Sequence, residues 1–169
     1  MSNSLLAQLS TTYSSSKFKD IITKDANKFG DLIKIALENH APASWRAAYI
    51  CNHQTIANDP LLLPYLAQII AEIPTKKDGH QRELLRLALK MDVNENLEGK
   101  LFDTSVTIWE SVEKSPSARM IAFKVIVKIA SKYPEMKSEV AFLTQDHYLD
   151  SLSPGIRRSM LREANKLSK

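Results

Sequence analysis

The sequence predicts an all-α fold, a right-handed α-solenoid of about four helix pairs, and three observations carry that expectation. Apolar and polar residues nowhere alternate with period two over a strand's length, so no sheet is expected. All seven prolines fall at or near helix starts or in linkers. A pattern built around an arginine returns about every 37 residues, at Arg82, Arg119 and Arg157.

The chain opens with a serine- and threonine-rich segment, 1–16, read as frayed, in which Leu5, Leu6 and Leu9 support at most a small helix. Lys17 to Asp25 puts Phe18, Ile21 and Ile22 on one helical face. Asp25 is placed to cap a second helix, which carries Phe29, Leu32, Ile33, Ala36 and Leu37 and tolerates Gly30 at some cost. Asn39 to Pro42 breaks it, and a further helix runs from about Ala43 to Asn58 through Trp45, Ala48, Tyr49 and Ile56. Asp59-Pro60 signals the next start, with Leu61 to Ile70 as its apolar content and Pro64 just inside its first turn. Pro74 to Asp78 ends it, and Gln81 to Met91 is helical again. Asn94 or Asn96 caps an acidic helix containing Leu97, Leu101, Phe102, Val106 and Trp109.

Ser115 to Tyr133 is the segment on which the rest depends. Ser115-Pro116 suits a helix start, since proline lacks only a donor that the first turn leaves unpaired. Beyond it the residues are apolar almost all the way round, with a narrow polar strip through Lys124, Lys128 and Ser131. Such a helix needs neighbours on nearly every side. Arg119, Lys124 and Lys128 would each cost a few kcal/mol at a bilayer centre, so it reads as the buried member of a stack. Tyr133-Pro134 then starts a helix with Met136, Val140, Phe142 and Leu143, and Ser153-Pro154 starts the last, with Ile156, Met160, Leu161 and Ala164.

These helices pair into units of about 26–58, 60–91, 96–133 and 134–167 within a single domain, 1–169. One pair cannot bury its apolar face, whereas stacked pairs share a continuous core. Pro116, Ala118, Arg119 and Ala122 form a motif that Pro154, Ile156, Arg157 and Met160 repeat. That motif resembles the second-helix signature of HEAT repeats. Together with Ser44 to Tyr49, Arg82 to Leu87 and Tyr133 to Met136, it makes residues 26–167 similar to small HEAT-like (armadillo-type) proteins of bacteria, and distantly similar to the HEAT-like DNA alkylation repair group. The resemblance implies a stack that binds proteins. In the first unit, Arg46 stands one place late relative to the pattern.

Composition narrows the function. A chain of 169 residues, 44% hydrophobic and 25% charged, has a globular profile. Four glycines give little material for phosphate-cradling loops, and no P-loop, dinucleotide fingerprint or Gly-x-Ser-x-Gly elbow is present. Cys51 stands alone and reads as a small buried hydrophobe in a reducing compartment. The four histidines have no metal-ligand spacing, so neither metal nor cofactor is expected. The N-terminus lacks the form of a signal peptide, from which a cytoplasmic location without membrane attachment is expected. The net charge of +4 lies in residues 157–169, which hold five basic residues and one acid, while 92–113 holds six acids and one lysine.

The expectation is therefore a non-enzymatic module that binds a protein or peptide on the surface of its second helices. Arg46, Arg82, Arg86, Lys124, Lys128, Arg158 and Arg162 are the candidate binding residues. The arginines that recur once per unit read foremost as ties to acids or to helix C-terminal carbonyls. Nucleic-acid binding, motivated by the basic C-terminal helix, is the second reading. The HEAT-like glycosylases recognise alkylated bases with aromatic residues and an acid, but Trp109 falls with Phe102, Val106 and Val112 on one apolar stripe. Trp45 and Trp109 are accordingly both expected in the core.

Overall fold

A computed structural model describes residues 2–11 and 26–168, which form ten α-helices, four short 3-10 turns and no strand. The expected helix over 17–25 and the Asp25 cap lie outside the described residues. No helix among the described residues is long and apolar enough to cross a membrane. The chain divides into two compact units, Met1–Asp92 and Val93–Lys169.

The first unit holds α1 (Ser2–Thr11), α2 (Ala26–Leu37), α3 (Ala43–Gln54), α4 (Leu66–Glu72) and α5 (Asp78–Leu89). Helix α3 lies at its centre, packed on α1, α2 and α5. The apolar spacing read from the sequence is the buried face of α2: Phe29, Leu32, Ile33 and Ala36 are all closed to solvent. Each of the larger of these gains about 1.5–3 kcal/mol by burial. Cys51 is a free thiol fully buried on α3, and burial pushes its pKa far above the usual thiol range. Gly30 has a packing reason, because a Cβ there would stand 2.6 Å from Tyr65 Oη.

The second unit holds α6 (Glu95–Glu110), α7 (Pro116–Ala130), α8 (Lys137–Phe142), α9 (Asp146–Leu149) and α10 (Pro154–Ala164). Asn94, not Asn96, caps α6, accepting from Leu97 N at 3.1 Å, and Ser115 caps α7, accepting from Ala118 N at 3.3 Å. Helix α7 is enclosed as its composition requires: ten of its residues are buried, and α6, α8 and α10 pack against it. Trp109 is fully buried against Phe123, with ring centroids 4.5 Å apart, and its indole donates to Leu143 O at 2.9 Å.

Several boundaries depart from the expectation. The helix foreseen to run to Asn58 ends at Gln54, where Thr55 turns extended, and Ile56 beyond it is 70% exposed. The helix foreseen from Pro60 starts at Leu66, after a 3-10 turn over Leu63–Tyr65, since Pro64 cannot donate to a continuous α-helical ladder. Helix α5 begins at Asp78, three residues before Gln81, so Gly79 and His80 belong to its first turn. The segment 134–149 breaks into a 3-10 turn, Pro134–Met136, and the short helices α8 and α9; between them Thr144 N and Gln145 N bond back to the carbonyls three residues earlier.

The C-terminal carbonyls of several helices are bound by cations or imidazole from elsewhere in the same unit. Arg46 Nη1 donates to Leu9 O at 2.9 Å and Ser10 O at 3.1 Å, tying down α1, whose Leu9 is fully buried. Lys76 Nζ and His80 Nε2 meet Leu37 O at 2.6 Å and Ala36 O at 2.7 Å, closing α2. Lys90 Nζ donates to Asn52 O and, at 2.8 Å, to Thr55 O, closing α3. Arg119 Nε donates to Trp109 O at 2.8 Å, and its Nη2 to Tyr148 O at 2.6 Å, so that α6 and α9 end on one guanidinium. Other than the Nε bond of Arg119, these ties span 29 to 44 residues, about one repeat period.

Candidate functional site

The first unit contains a cavity of about 560 Å³, between the N-terminal turn of α3 and that of α5. Its lining comes from two breaks in the helical pattern. Asn39, Ala41, Ser44 and Trp45 belong to the turn into α3, and Thr75, Lys77, Gly79, His80 and Arg82 to the turn into α5. Ser44 is buried and fixes its turn by accepting from His40 N at 3.0 Å. Trp45 is half-buried and forms one wall. This corrects the expectation that both tryptophans lie in the core. Trp109 does, but Trp45 stands in the first turn of α3, where the helix end leaves its ring beside the opening.

The electrostatics of this cavity are cationic. Its lining includes Lys77 and Arg82 and no carboxylate, and the N-terminus of the twelve-residue α3, with no acid in its first turn, contributes partial positive charge. Burial pulls the His80 pKa below the ordinary imidazole range, against the opposing effect of its bond to Ala36 O. A carbonyl can only accept, so the neutral ring carries its proton on Nε2 and leaves Nδ1 as an acceptor.

Arg82 donates from Nε to Glu83 Oε1 at 2.9 Å, with Nη2 2.7 Å from the same oxygen. Glu83 is fully buried; its Oε2 accepts from Asn52 Nδ2 at 3.0 Å and lies 3.8 Å from Arg86 Nη1. One carboxylate thus serves two guanidiniums on α5. Burial, then the neighbouring Arg86, lowers the Lys90 pKa.

The remaining sequence candidates are distributed. Arg46 lies across the end of α1 and over the Trp45 ring, 5.9 Å from its centroid. In the second unit Lys124 and Lys128 are half-buried on α7, and Arg158 and Arg162 are exposed on α10, which packs against α7. The four once-per-unit arginines differ in role. Arg119 is fully buried, and Arg157 is held at the surface by Asp146 at 2.5 Å and Asp150 at 3.1 Å. Arg82 pairs with its own neighbour on α5 while Lys76 and His80 close α2. Lys77, Thr75 and His80 were not among the candidates. Their signal was the Lys76-Lys77 pair at a helix break, which reads as a linker until the two turns are seen to face each other.

A second cavity, about 290 Å³ and within the second unit, has the opposite character: Glu95, Glu98 and Glu135 line it with Phe102, Tyr133 and Met136. Glu98 is nearly closed to solvent and accepts from Lys132 Nζ and, at 2.7 Å, from Tyr133 Oη. Burial opposes its ionisation, and those two donors overcome it, holding the carboxyl below its ordinary range.

The family model for the HEAT repeat domain matches residues 3–166. No curated protein matches the chain, and no solved structure does.

Proposed function

Because the chain belongs to the HEAT repeat domain family, a family of interaction scaffolds, we propose that it acts without catalysis of its own, as a docking module for a protein or peptide. The scaffold consists of four helix pairs, at about 26–58, 60–91, 96–133 and 134–167. The second helices of each unit, α3 and α5 in the first and α7 and α10 in the second, offer a docking surface of that unit. Arg82 and Arg86 on α5, Lys124 and Lys128 on α7, and Arg158 and Arg162 on α10 form its cationic contacts. Arg46 is assigned to holding α1. The observation that carries this reading is the family match across nearly the whole chain. An array of acidic and basic peptides tests it: acidic peptides should be retained, and a variant with Arg86, Lys124, Arg158 and Arg162 changed to glutamate should lose them. Retention of neither class would overturn it.

A second reading, nucleic-acid binding, rests on Arg158 and Arg162, both exposed on α10. It requires duplex DNA or RNA to be retarded at low salt and released steeply as salt rises.

A further inference from the structure

The cavity of the first unit has a more specific use, and it rests on the docking reading above. We infer that it seats a bulky apolar side chain of a partner peptide whose neighbouring residues are acidic. At about 560 Å³ it is within the size range of ligand pockets, larger than one aromatic side chain needs. The half-buried Trp45 supplies an apolar wall for a ring, and a tryptophan in such a position is a common anchor of binding energy. The lining cations are Lys77 and Arg82; Arg82 is bonded to the buried Glu83, so Lys77 carries the charge at the mouth. Lys77 is exposed at the rim, just outside the first turn of α5. The N-terminus of α3, with no acid in its first turn, adds to the same sign of field.

This combination favours carboxylates at the mouth and an apolar group inside. It disfavours a basic peptide, whose charges would face Lys77 at the rim. The neutral His80, which lines the cavity with Nδ1 as an acceptor, accepts a backbone N–H of the same peptide and so favours an extended segment over a free anion.

Gly79 makes the inference testable without damage to the fold. It lines the cavity in the first turn of α5, and a Cβ there meets nothing within 4 Å. Gly79→Leu therefore adds bulk at the cavity wall from a position that helix formation tolerates well. The probe is a fluorescein-labelled peptide with one phenylalanine flanked on each side by two glutamates, read by anisotropy against the full chain. Gly79→Leu and Lys77→Glu should each weaken binding about tenfold or more. Replacing the peptide's phenylalanine by serine should do the same, while Gly79→Ala stays near the wild type. Equal binding of the lysine-flanked counterpart would overturn the inference. If Lys124→Glu with Arg162→Glu removes binding and Gly79→Leu does not, the cavity is not the seat, and the docking reading survives without it. If neither peptide binds, both fall together.

Discussion

Arg119 is the residue whose loss the second unit should feel most. Its guanidinium is closed to solvent, lies 4.8 Å from the centroid of the Trp109 ring, and makes bonds to Trp109 O, Tyr148 O and Ser151 Oγ at 2.8, 2.6 and 2.7 Å. Burial lowers its pKa, with Glu113 acting in the opposite sense. In Arg119→Met the length of the side chain is kept and the donors are removed. Two buried carbonyls, at the ends of α6 and α9, then lose charged donors worth about 1.5–3 kcal/mol each. Ser151 is exposed and can turn to water. Relief from burying a charge offsets part of the loss, so the expected destabilisation is about 2–4 kcal/mol, a large share of a typical domain's stability. Urea unfolding followed by circular dichroism measures it, a probe independent of the tryptophan that the substitution disturbs. Arg119→Lys should recover only part, since an ammonium cannot span three acceptors in one plane. A loss below about 1 kcal/mol for Arg119→Met would refute the argument, because it would mean that the carbonyls find water at no cost.

Gly30→Ala should destabilise in spite of alanine's better helix propensity, because its Cβ would meet Tyr65 Oη; adding Tyr65→Phe should restore stability to at least that of the Tyr65→Phe single variant, by the same unfolding assay. Asn94→Ala should cost about 1 kcal/mol by removing the cap of α6. The depressed Glu98 carboxyl contributes stability that is present above its unfolded pKa and lost as pH falls through the folded one. Stability should therefore drop between about pH 5 and pH 3, and Glu98→Gln should flatten that drop in urea titrations at successive pH values.

What the sequence conveyed best was burial. Helix α7 could be identified because Ile121 to Ala130 leave only Lys124 and Lys128 for solvent, and hydrophobic periodicity acts over a whole helix. Proline and short polar side chains marked α6, α7 and α10 for the same reason, since their effect on the backbone is local. The break at 143–145 was hidden because Val140, Phe142 and Leu143 continue an apolar pattern across it, although the helix stops there. The role of Arg46 as a tie to helix C-terminal carbonyls was legible, but its partner was not, as backbone carbonyls are carried by every residue alike. Trp45 misled because periodicity assigns a face and says nothing about a helix end. Its place at the cavity depends on two turns, 39–42 and 74–77, that meet only in the fold.

Amide shifts in solution, recorded while the glutamate-flanked phenylalanine peptide is added to the full chain, test the proposed docking role most directly. The account predicts saturable changes centred on residues 39–45 and 75–82, with the Trp45 indole resonance among the largest. Changes confined to α10 on addition of duplex DNA, with none from the peptide, would contradict it.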